Sequence, residues 1–312
     1  MTVVVIGDAN VDLELRLPDG ASRALHSNPE PRLFGGGSAA NTAAALARLG
    51  VETRFVGTVG EDAHGRFAVS SLAAAGVNTE FVDTTTAAPT VMVIFAVQPD
   101  GERLVYVWPP RGGAFSAVRR DVAIEALDAA DWLHVSGLCM RTSPSREAAV
   151  GAMRDARRRN VPVSFDLNLR LETWGWEGDF KEFVQGAIEH ADIVMGNGPE
   201  EIVPLAGIDD VVGAALAIAG ATRLVIARDG ASGSVACTHE SVVRSVGFPV
   251  DVEDTMGAGD AFNAGFIAAR LAGSSPQDSL RLGNAVGALS VTRPGARHTP
   301  TLADTLHFLN SH

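Results

Sequence analysis

Lysine and cysteine are almost missing from this sequence. Its 312 residues include one lysine, Lys181, and two cysteines, Cys139 and Cys237. A phosphate-binding loop of the G-x-x-x-x-G-K-[ST] type is therefore absent, and the polar setting of Lys181 is unsuited to Schiff-base chemistry. Two cysteines are too few for a disulfide framework or a zinc cluster. Any phosphate chemistry here must depend on backbone N–H groups, arginines and metal ions.

Long apolar runs and an excess of positive charge are missing as well. The longest largely apolar stretch, 211–227, is interrupted by Thr222 and Arg223, so no segment has the roughly 18 apolar residues of a membrane span. The first residues lack the charged region and cleavage site of a signal peptide. A net charge of −12 disfavours nucleic acid and anionic membranes as partners. We expect a cytoplasmic protein that acts on a small molecule.

Patterns typical of strands and helices alternate along most of the chain. Continuous apolar runs predict buried strands at 3–8, 132–137, 162–168, 192–197 and 223–228. Helices are predicted at 38–50, with Ser38 as N-cap and Gly50 as stop, and near 119–129, 144–159, 180–190 and 209–220. This alternation is typical of a mostly parallel sheet covered by helices on both faces, with ligands at the carboxyl ends of the strands.

Two β-rich segments interrupt this alternation. Residues 90–108 contain two β-rich runs around Pro99-Asp100-Gly101, which predicts a hairpin, and VDLELRLP at 11–18 alternates apolar and polar residues. Together they predict a small antiparallel sheet, built from about 11–35 and 89–113, beside a single α/β domain that spans 1–312. A lid over the ligand site is one interpretation, and an ordinary edge hairpin is the other.

The strongest local signal is DTMGAGDAFNAGFIAARLAG at 254–273. Gly257-Ala258-Gly259 opens a helix, and a glycine-rich turn there leaves backbone N–H groups beside the positive end of the helix dipole. Such a turn can hold the oxygens of a phosphoryl group without a lysine. Asp260, in the first helical turn, can accept a proton from an attacking hydroxyl. A tight turn followed by an acidic helix start is the alternative.

This segment and four others resemble motifs of the ribokinase (PfkB-type) carbohydrate kinase family. D-T-x-G-A-G-D-A-F is similar to that family's C-terminal signature, and GGGSAANTAAALARLG at 35–50 is similar to its N-terminal signature. Shorter stretches also match, namely VGTVGEDAHGRF at 56–67, NGPE at 197–200 and RDGASG at 228–233. The resemblance implies a ribokinase-like three-layer α/β sandwich with a mostly parallel sheet and a small antiparallel β lid. It also implies an ATP-dependent kinase that phosphorylates a primary hydroxyl of a sugar or sugar acid.

For the phosphoryl end of the site, the resemblance implies that Asp260 is the catalytic base and that the N–H groups of Gly257, Ala258 and Gly259 form the anion hole. Asn197 and Glu200 would organise Mg²⁺, Glu200 through water. From the residues alone, a helix N-cap followed by an acid is the alternative. The implied nucleotide contacts are Asn197, Arg228, Gly230, Gly233, Gly257, Gly259 and Asn284. The family's monovalent-cation (K⁺) site corresponds to Asp254, Met256, Ser290, Arg293, Gly295 and Thr299.

For the sugar end, the resemblance implies contacts from Asn10, Asp12, Gly36, Gly37, Asn41 and Asp260. Ribokinase proper has a lysine where this chain has Ser38, which weakens a strict ribose interpretation. SFDLNLRLETW at 164–174 resembles a stretch of 2-keto-3-deoxygluconate kinases and fructokinases, and it makes Arg170 a contact of a substrate carboxylate or hydroxyl. Arg111 fits a second such role. The alternative is that both arginines hold ATP phosphates or the lid.

The leading substrate is therefore 2-keto-3-deoxygluconate or a related keto sugar, with ribose, fructose and nucleosides as alternatives. A homodimer through the lid is expected, because an exposed sheet needs a cover. A non-catalytic sugar or nucleotide sensor is a rival that the intact Asp260 and glycine turn disfavour. A dinucleotide-dependent oxidoreductase is a second rival, but GDANVD stands after the first strand where G-x-G-x-x-G would be needed.

Overall fold

A computed structural model of the chain describes residues 1–16, 31–97, 103–109, 112–176 and 178–312. Strands β1 to β13 are, in chain order, Thr2–Ile6, Asn10–Arg16, Pro31–Gly36, Glu52–Gly60, Val82–Thr85, Met92–Val97, Arg103–Trp108, Trp132–Ser136, Val163–Asp166, Ile193–Asn197, Leu224–Arg228, Ser234–Cys237 and Val242–Ser245. Helices α1 to α11 are Ser38–Arg48, Ala63–Ala74, Arg120–Glu125, Ser145–Arg158, Leu171–Trp174, Phe180–Ile188, Val203–Ala206, Val211–Ala219, Ala258–Leu271, Pro276–Ser290 and Leu302–Ser311.

The large sheet has nine strands in the order β13-β12-β11-β10-β9-β8-β1-β4-β5. The strands from β11 to β5 are mutually parallel, and β12 and β13 are added antiparallel at one edge. The five strands predicted from apolar runs all belong to the parallel part. Their carboxyl ends therefore share one edge, which is where the topology of such sheets leaves room for ligands.

Two hydrophobic cores cover the two faces of this sheet. In β1, Val4 and Ile6 enter one core and Val3 and Val5 enter the other, all fully buried. Successive side chains of a strand point to opposite faces, so a strand buried on both sides has no polar alternation. Helices α4, α6 and α8 contribute to the first core, and α1, α9 and α10 to the second. The predicted three-layer α/β fold is confirmed.

The N-terminus of α1 is capped differently from the prediction. Ser38 is the first helical residue, and Gly37 occupies the N-cap position without any side-chain cap. The carboxylate of Asp8, which follows β1, instead accepts hydrogen bonds from the N–H groups of Ser38 at 2.9 Å and Ala39 at 3.3 Å. The prediction of Ser38 as N-cap is wrong, because a carboxylate from another strand satisfies these donors and leaves the serine hydroxyl for another partner.

The small sheet has the strand order β3-β2-β6-β7. Its two outer pairs, β2–β3 and β6–β7, are antiparallel, whereas β2 and β6 in its centre are parallel. The parallel pair arises because β2 follows β1 and β6 follows β5, and both therefore leave the carboxyl edge of the large sheet in the same direction. The predicted turn at Pro99-Asp100-Gly101 lies outside the described residues.

Asp62 connects the segment just before β6, in the small sheet, to α2. Its Oδ1 accepts the Gly65 N–H at 2.7 Å as the N-cap of α2, and its Oδ2 accepts the Thr90 N–H at 2.9 Å just before β6. Partial burial acts to raise the pKa of Asp62, but these backbone donors outweigh it and the pKa is lowered. The ionised carboxylate thus holds the helix and the start of β6 together.

Within the described residues, no single helix has both the length and the apolar character to cross a membrane, although the bent pair Gly198–Ala206 and Val211–Ala219 meets those two criteria together.

Candidate active site

Asp260 is buried in the first turn of α9 and is held from the first turn of α1. Ser38 Oγ donates to its Oδ1 at 2.5 Å, and Asn41 Nδ2 donates to its Oδ2 at 3.0 Å. Burial raises the pKa of Asp260 to about 7, although these two hydrogen bonds and the charge of Arg170 act to lower it. A carboxylate with such a pKa is half ionised at neutral pH, where it is a much better proton acceptor than an exposed aspartate.

The turn before Asp260 needs glycine for a steric reason. Gly257 has φ 75°, and a Cβ there would lie 2.3 Å from the carbonyl oxygen of Ala296. A left-handed backbone against another backbone leaves no room for a side chain. The turn can therefore pass close to the loop that follows α10 and still direct the start of α9 toward the carboxyl edge of the sheet.

Arg228 lies beneath this turn, where its guanidinium binds three protein groups. It donates to Gly259 O at 3.1 Å, to Asn263 Oδ1 at 2.5 Å and to Asp166 Oδ1 at 2.8 Å. Burial acts to lower the pKa of Arg228, but the carboxylates of Asp166 and Glu201 outweigh it and the pKa is raised. The arginine is thus permanently charged and fixes the first turn of α9 to the end of β9.

The predicted sugar residues converge at the end of β1 and the start of β2. Asn10 Nδ2 donates to Asp12 Oδ1 at 2.8 Å, and Gly36 lies so close that a Cβ there would be 2.3 Å from that same oxygen. Burial raises the pKa of Asp12 to about 7, against the lowering effects of Arg297 and Asn10. Gly37 has φ 98°, and its Cβ would meet Asp8 O at 2.5 Å.

Arg170, the predicted substrate arginine, is exposed at the carboxyl edge just after β9. Its backbone is in the left-handed region with φ 50°, an uncommon conformation for a residue that is not glycine. Its positive charge acts to lower the pKa of both Asp12 and Asp260. The guanidinium therefore acts electrostatically on both of these carboxyls. Arg111, the other predicted arginine, lies outside the described residues.

Asn197 and Glu200 begin the turn of helix after β10. Asn197 Oδ1 accepts the Glu200 N–H at 3.0 Å, so the asparagine does form the N-cap that was the alternative interpretation. The carboxylate of Glu200 is exposed, whereas that of Glu201 turns inward and accepts the N–H groups of Leu169 at 2.6 Å and Asn197 at 2.8 Å. Burial raises the pKa of Glu201.

This donor set suits a hydrated Mg²⁺. Carboxylate and amide oxygens are its preferred protein ligands, and one or two of them suffice when water and phosphate complete the shell. In the described part of the chain, no group of three or more His, Cys, Asp and Glu side chains is arranged to hold a metal. Asn197 and Glu200 thus fit an ion that keeps most of its water ligands.

Three of the predicted nucleotide residues, Gly230, Gly233 and Asn284, lie near the antiparallel edge of the large sheet. Asn284 Nδ2 donates to the carbonyl oxygens of Ser245 at 3.0 Å and Val246 at 3.1 Å, and its Oδ1 accepts the Ser234 hydroxyl at 3.0 Å. Gly233 has φ 102°, and a Cβ there would lie 2.2 Å from Ser245 O. Gly230, with φ 51°, begins the short turn that ends at Gly233.

The predicted cation residues come from two loops that Asp254 joins. Its Oδ1 accepts the Met256 N–H at 3.0 Å, and its Oδ2 accepts the Gly295 N–H at 2.9 Å. Ser290 and Thr299 are buried, and the Ser290 hydroxyl donates to Gly287 O at 2.8 Å. Arg293 is exposed. The oxygen-rich loops are of the donor type that suits a hard cation.

Four charged residues of the site were missed by the sequence analysis: Asp8, Asp166, Glu201 and Arg297. Asp8 and Asp166 each lie at the carboxyl end of a predicted strand, and this position was the available signal. Arg297 lies between Gly295 and Thr299, two of the predicted cation residues. No local sequence pattern indicates that its guanidinium reaches Asn41 and Gly36.

Comparison with known proteins identifies the family. The model of the "pfkB family carbohydrate kinase" matches residues 1–302. A fructokinase of Klebsiella pneumoniae is 33% identical over 301 residues, covering 94% of each chain. An ATP-dependent ribose-1-phosphate kinase of Halopiger xanaduensis is 35% identical over 316 residues, covering 99% of this chain and 98% of that one. A 5-dehydro-2-deoxygluconokinase of Photobacterium profundum is 28% identical, covering 94% and 89%.

Solved structures agree with this assignment. The crystal structure of a Vibrio cholerae fructokinase with fructose, ADP and calcium bound superimposes with a TM-score of 0.82 at 29% identity, covering 99% of this chain and 98% of that one. The chain therefore belongs to the PfkB family of carbohydrate kinases, as the motifs predicted. It is an ATP-dependent sugar kinase, and the sensor and oxidoreductase alternatives give way to this assignment.

The buried Asp12 predicts an unusual dependence of stability on pH. Its pKa is about 7 in the folded protein and 3.8 in an exposed chain, so the folded state binds the extra proton and the free energy of unfolding falls as pH rises from about 4 to about 7. Asp12→Asn removes this contribution. Between pH 5 and pH 8, the free energy of unfolding measured with urea should fall by about 1–3 kcal/mol less in the variant than in the wild type.

The matched control for this experiment is Asp209→Asn, which changes an exposed carboxyl. Its fall in unfolding free energy between pH 5 and pH 8 should equal that of the wild type. An Asp12→Asn variant with the same fall as the wild type would show that the carboxyl of Asp12 is not protonated preferentially in the folded state.

Proposed function

We propose that this kinase transfers the γ-phosphate of ATP to a primary hydroxyl of a keto sugar or keto sugar acid, with 2-keto-3-deoxygluconate as the leading substrate. The observation that carries the reaction type is Asp260, a buried carboxylate whose pKa is about 7, in the first turn of the glycine-led helix α9. A base is most effective when its pKa is near the working pH. The helix start beside it favours negative charge on a bound group.

Asp260 accepts the proton of the attacking hydroxyl in this proposal. Ser38 and Asn41 each bind one of its oxygens, so the carboxylate cannot turn away from a hydroxyl that lies in front of it. The N–H groups of Gly257, Ala258 and Gly259 bind the oxygens of the transferring phosphoryl group. Positioning of this kind supplies much of the rate in phosphoryl transfer.

The nucleotide lies along Gly230, Gly233 and Asn284 in this proposal, and Arg228 supports the turn at Gly257 and Gly259 from below. Asn197 and Glu200 hold the hydrated Mg²⁺, which neutralises negative charge on the phosphates when it is bound. Asp254, Met256, Ser290, Arg293, Gly295 and Thr299 form a K⁺ site. The contact between Asp254 and Gly295, which keeps the two loops of that site together, supports this last assignment.

The substrate class rests on the charge at the sugar end. Asn10, Asp12 and Asn41 bind sugar hydroxyls, with Gly36 and Gly37 leaving room for the ring. Arg170 acts electrostatically on both Asp12 and Asp260. A substrate that lies between those two carboxyls therefore also lies near the Arg170 guanidinium. A guanidinium binds a carboxylate through paired, charge-assisted hydrogen bonds. The relatives named for fructose and for 5-dehydro-2-deoxygluconate support a keto substrate.

Ribose 1-phosphate is a second candidate substrate. The relative named for that activity is 35% identical over nearly the whole chain. A phosphate binds an arginine as well as a carboxylate does, so Arg170 supports either anionic sugar.

The small sheet acts as the lid in this proposal, and two copies of the chain form a homodimer through it. Four exposed large apolar side chains on one face of this sheet support the dimer; they are Leu33, Leu104, Tyr106 and Trp108, each at least 42% exposed. An apolar edge of this kind is a liability unless a partner covers it.

The reaction is tested by ADP release from ATP and Mg²⁺ over a panel of sugars, sugar acids, sugar phosphates and nucleosides. Asp260→Asn removes the proton acceptor and keeps the shape of the side chain, so kcat on the best substrate should fall at least about 100-fold with little change in ATP affinity. Asp209→Asn should retain wild-type turnover. An Asp260→Asn enzyme with normal kcat would reject the role of Asp260.

The substrate class is tested by Arg170→Ala. Loss of the guanidinium should raise KM for an acidic sugar by about 10-fold or more, the size of a charge-assisted hydrogen bond, and should change KM for fructose much less. Steady-state kinetics on 2-keto-3-deoxygluconate, ribose 1-phosphate and fructose give the comparison. Equal changes in KM for anionic and neutral sugars would remove the anion-binding role.

The dimer is tested by Leu104→Glu, which places a charge on the face of β7 that also carries Tyr106 and Trp108, at a leucine that is 42% exposed. Light scattering should give twice the 32.5 kDa chain mass for the wild type and the single mass for the variant, because a buried unpaired charge opposes association. The control is Leu306→Glu on α11, at a leucine that is 48% exposed outside this sheet. A monomeric wild type would refute the dimer.

A further inference from the structure

Arg297, in the loop between α10 and α11, joins three elements of the pocket through one guanidinium. Its Nε donates to Asn41 Oδ1 at 3.1 Å, its Nη1 to Ser71 Oγ at 2.8 Å and its Nη2 to Gly36 O at 2.9 Å. These acceptors belong to α1, to α2 and to the end of β3. One planar guanidinium therefore connects the end of β3, in the small sheet, to the helices α1 and α2.

The asparagine in this set is the one that also holds Asp260. An amide side chain offers an oxygen on one side and an NH₂ group on the other. Because arginine can only donate, Asn41 has to present its oxygen to Arg297, and its Nδ2 then faces Asp260 Oδ2 at 3.0 Å. The opposite orientation would set two donors against each other and an amide oxygen against the carboxylate. Arg297 therefore selects the orientation in which Asn41 binds Asp260.

Arg297 remains charged although it is half-buried. Burial lowers its pKa to about 10, while Asp12, Asp260 and Asp8 act to raise it, so it is cationic at neutral pH. Among the described residues, none of these carboxylates comes within 4 Å of the guanidinium to form an ion pair with it. Its charge thus acts on the pocket as a whole, and its hydrogen bonds are made to neutral groups.

The first glycine of the GGG run is explained by this arginine. A Cβ at Gly35 would lie 2.2 Å from Arg297 Nη1 and 2.5 Å from Ser71 Oγ. Gly35 has no left-handed backbone that would require glycine, so the lack of space there comes from the Arg297 guanidinium together with the Ser71 hydroxyl that it binds. The end of β3 is thus shaped to accept Arg297.

We propose that Arg297 is a positioning residue for the phosphoryl transfer. It fixes the amide of Asn41, and through that amide the carboxylate of Asp260. It also fixes this pair to Gly36 at the end of β3. The inference rests on the proposed role of Asp260 as base. It assigns to Arg297 no direct contact with the sugar or with ATP.

The first test is the pH profile of kcat for Arg297→Met, a variant of similar length without donors or charge. We expect kcat to fall between about 10-fold and 100-fold, the scale of a misplaced catalytic group, and KM for ATP to change less than about 3-fold. The midpoint of the rise of kcat with pH should move upward, because the carboxylate loses a nearby positive charge and an ordered donor. The other charged groups that act on Asp260, namely Asp166, Arg170 and Arg228, are unchanged in the variant.

A double variant separates positioning from general damage. If Arg297 acts through Asn41, adding Arg297→Met to Asn41→Ala should lower kcat by less than about 3-fold beyond Asn41→Ala alone, because coupled residues are not additive. Arg66→Met, at an exposed arginine on α2, should leave kcat and its pH profile unchanged. Full additivity of the two losses would overturn the proposal.

The KM for the sugar and two further variants at position 297 separate positioning from other roles of Arg297. A raised KM for the sugar with unchanged kcat and pH midpoint would make Arg297 a substrate contact and overturn the positioning role. If Arg297→Met does not fold, as judged by thermal unfolding, Arg297→Lys keeps the charge and loses the three-way fork, so kcat should still fall while the midpoint moves less than in a charge-removing variant such as Arg297→Gln. Normal turnover by Asp260→Asn would instead reject the base itself, so the two failures are distinguishable.

Discussion

The meeting of two helix N-termini at one buried carboxylate is the constraint on which this site depends. Asp260 lies in the first turn of α9, and its two oxygens are bound by Ser38 and Asn41 in the first turn of α1. Both helix ends present positive potential to the same carboxylate. Each helix start also passes close to backbone from another loop, which explains the glycines: at Gly37 a Cβ would meet Asp8 O at 2.5 Å, and at Gly257 it would meet Ala296 O at 2.3 Å.

Several carboxyl groups lie close together in this site, and few positively charged side chains are there to balance them. Asp8, Asp12 and Asp260 all act on Arg297, and burial raises the pKa of Asp12 and Asp260 to about 7. Partial protonation near neutral pH reduces the repulsion among these carboxyls. In a chain with one lysine, this balance falls to arginine, whose planar fork also fixes the geometry of its partners. Charge and positioning are thus supplied by the same side chains.

Much of the fold was predictable from the sequence, and the reason is physical. Strands buried on both faces show as continuous apolar runs, so β1, β8, β9, β10 and β11 could be located from local pattern alone. Ser38 shows the limit of this method. As a first-turn serine it fits the N-cap rule, yet Asp8 caps the helix and the serine binds Asp260, which is 222 positions away in the chain. The role of Arg297 likewise depends on contacts with Asn41 and Gly36, and no local pattern contains them.

The two ends of the site differ in what evolution can alter. At the phosphoryl end the parts are a backbone turn and a carboxylate, and few substitutions are compatible with the packing around Gly257. At the proposed sugar end the parts are side chains from the start of β2 and from the segment after β9, and each can change without moving the sheet. Relatives named for fructose, ribose 1-phosphate and 5-dehydro-2-deoxygluconate are 28–35% identical to this chain. In the proposed site, substrate choice would therefore depend on residues such as Asp12 and Arg170 rather than on the turn at Gly257.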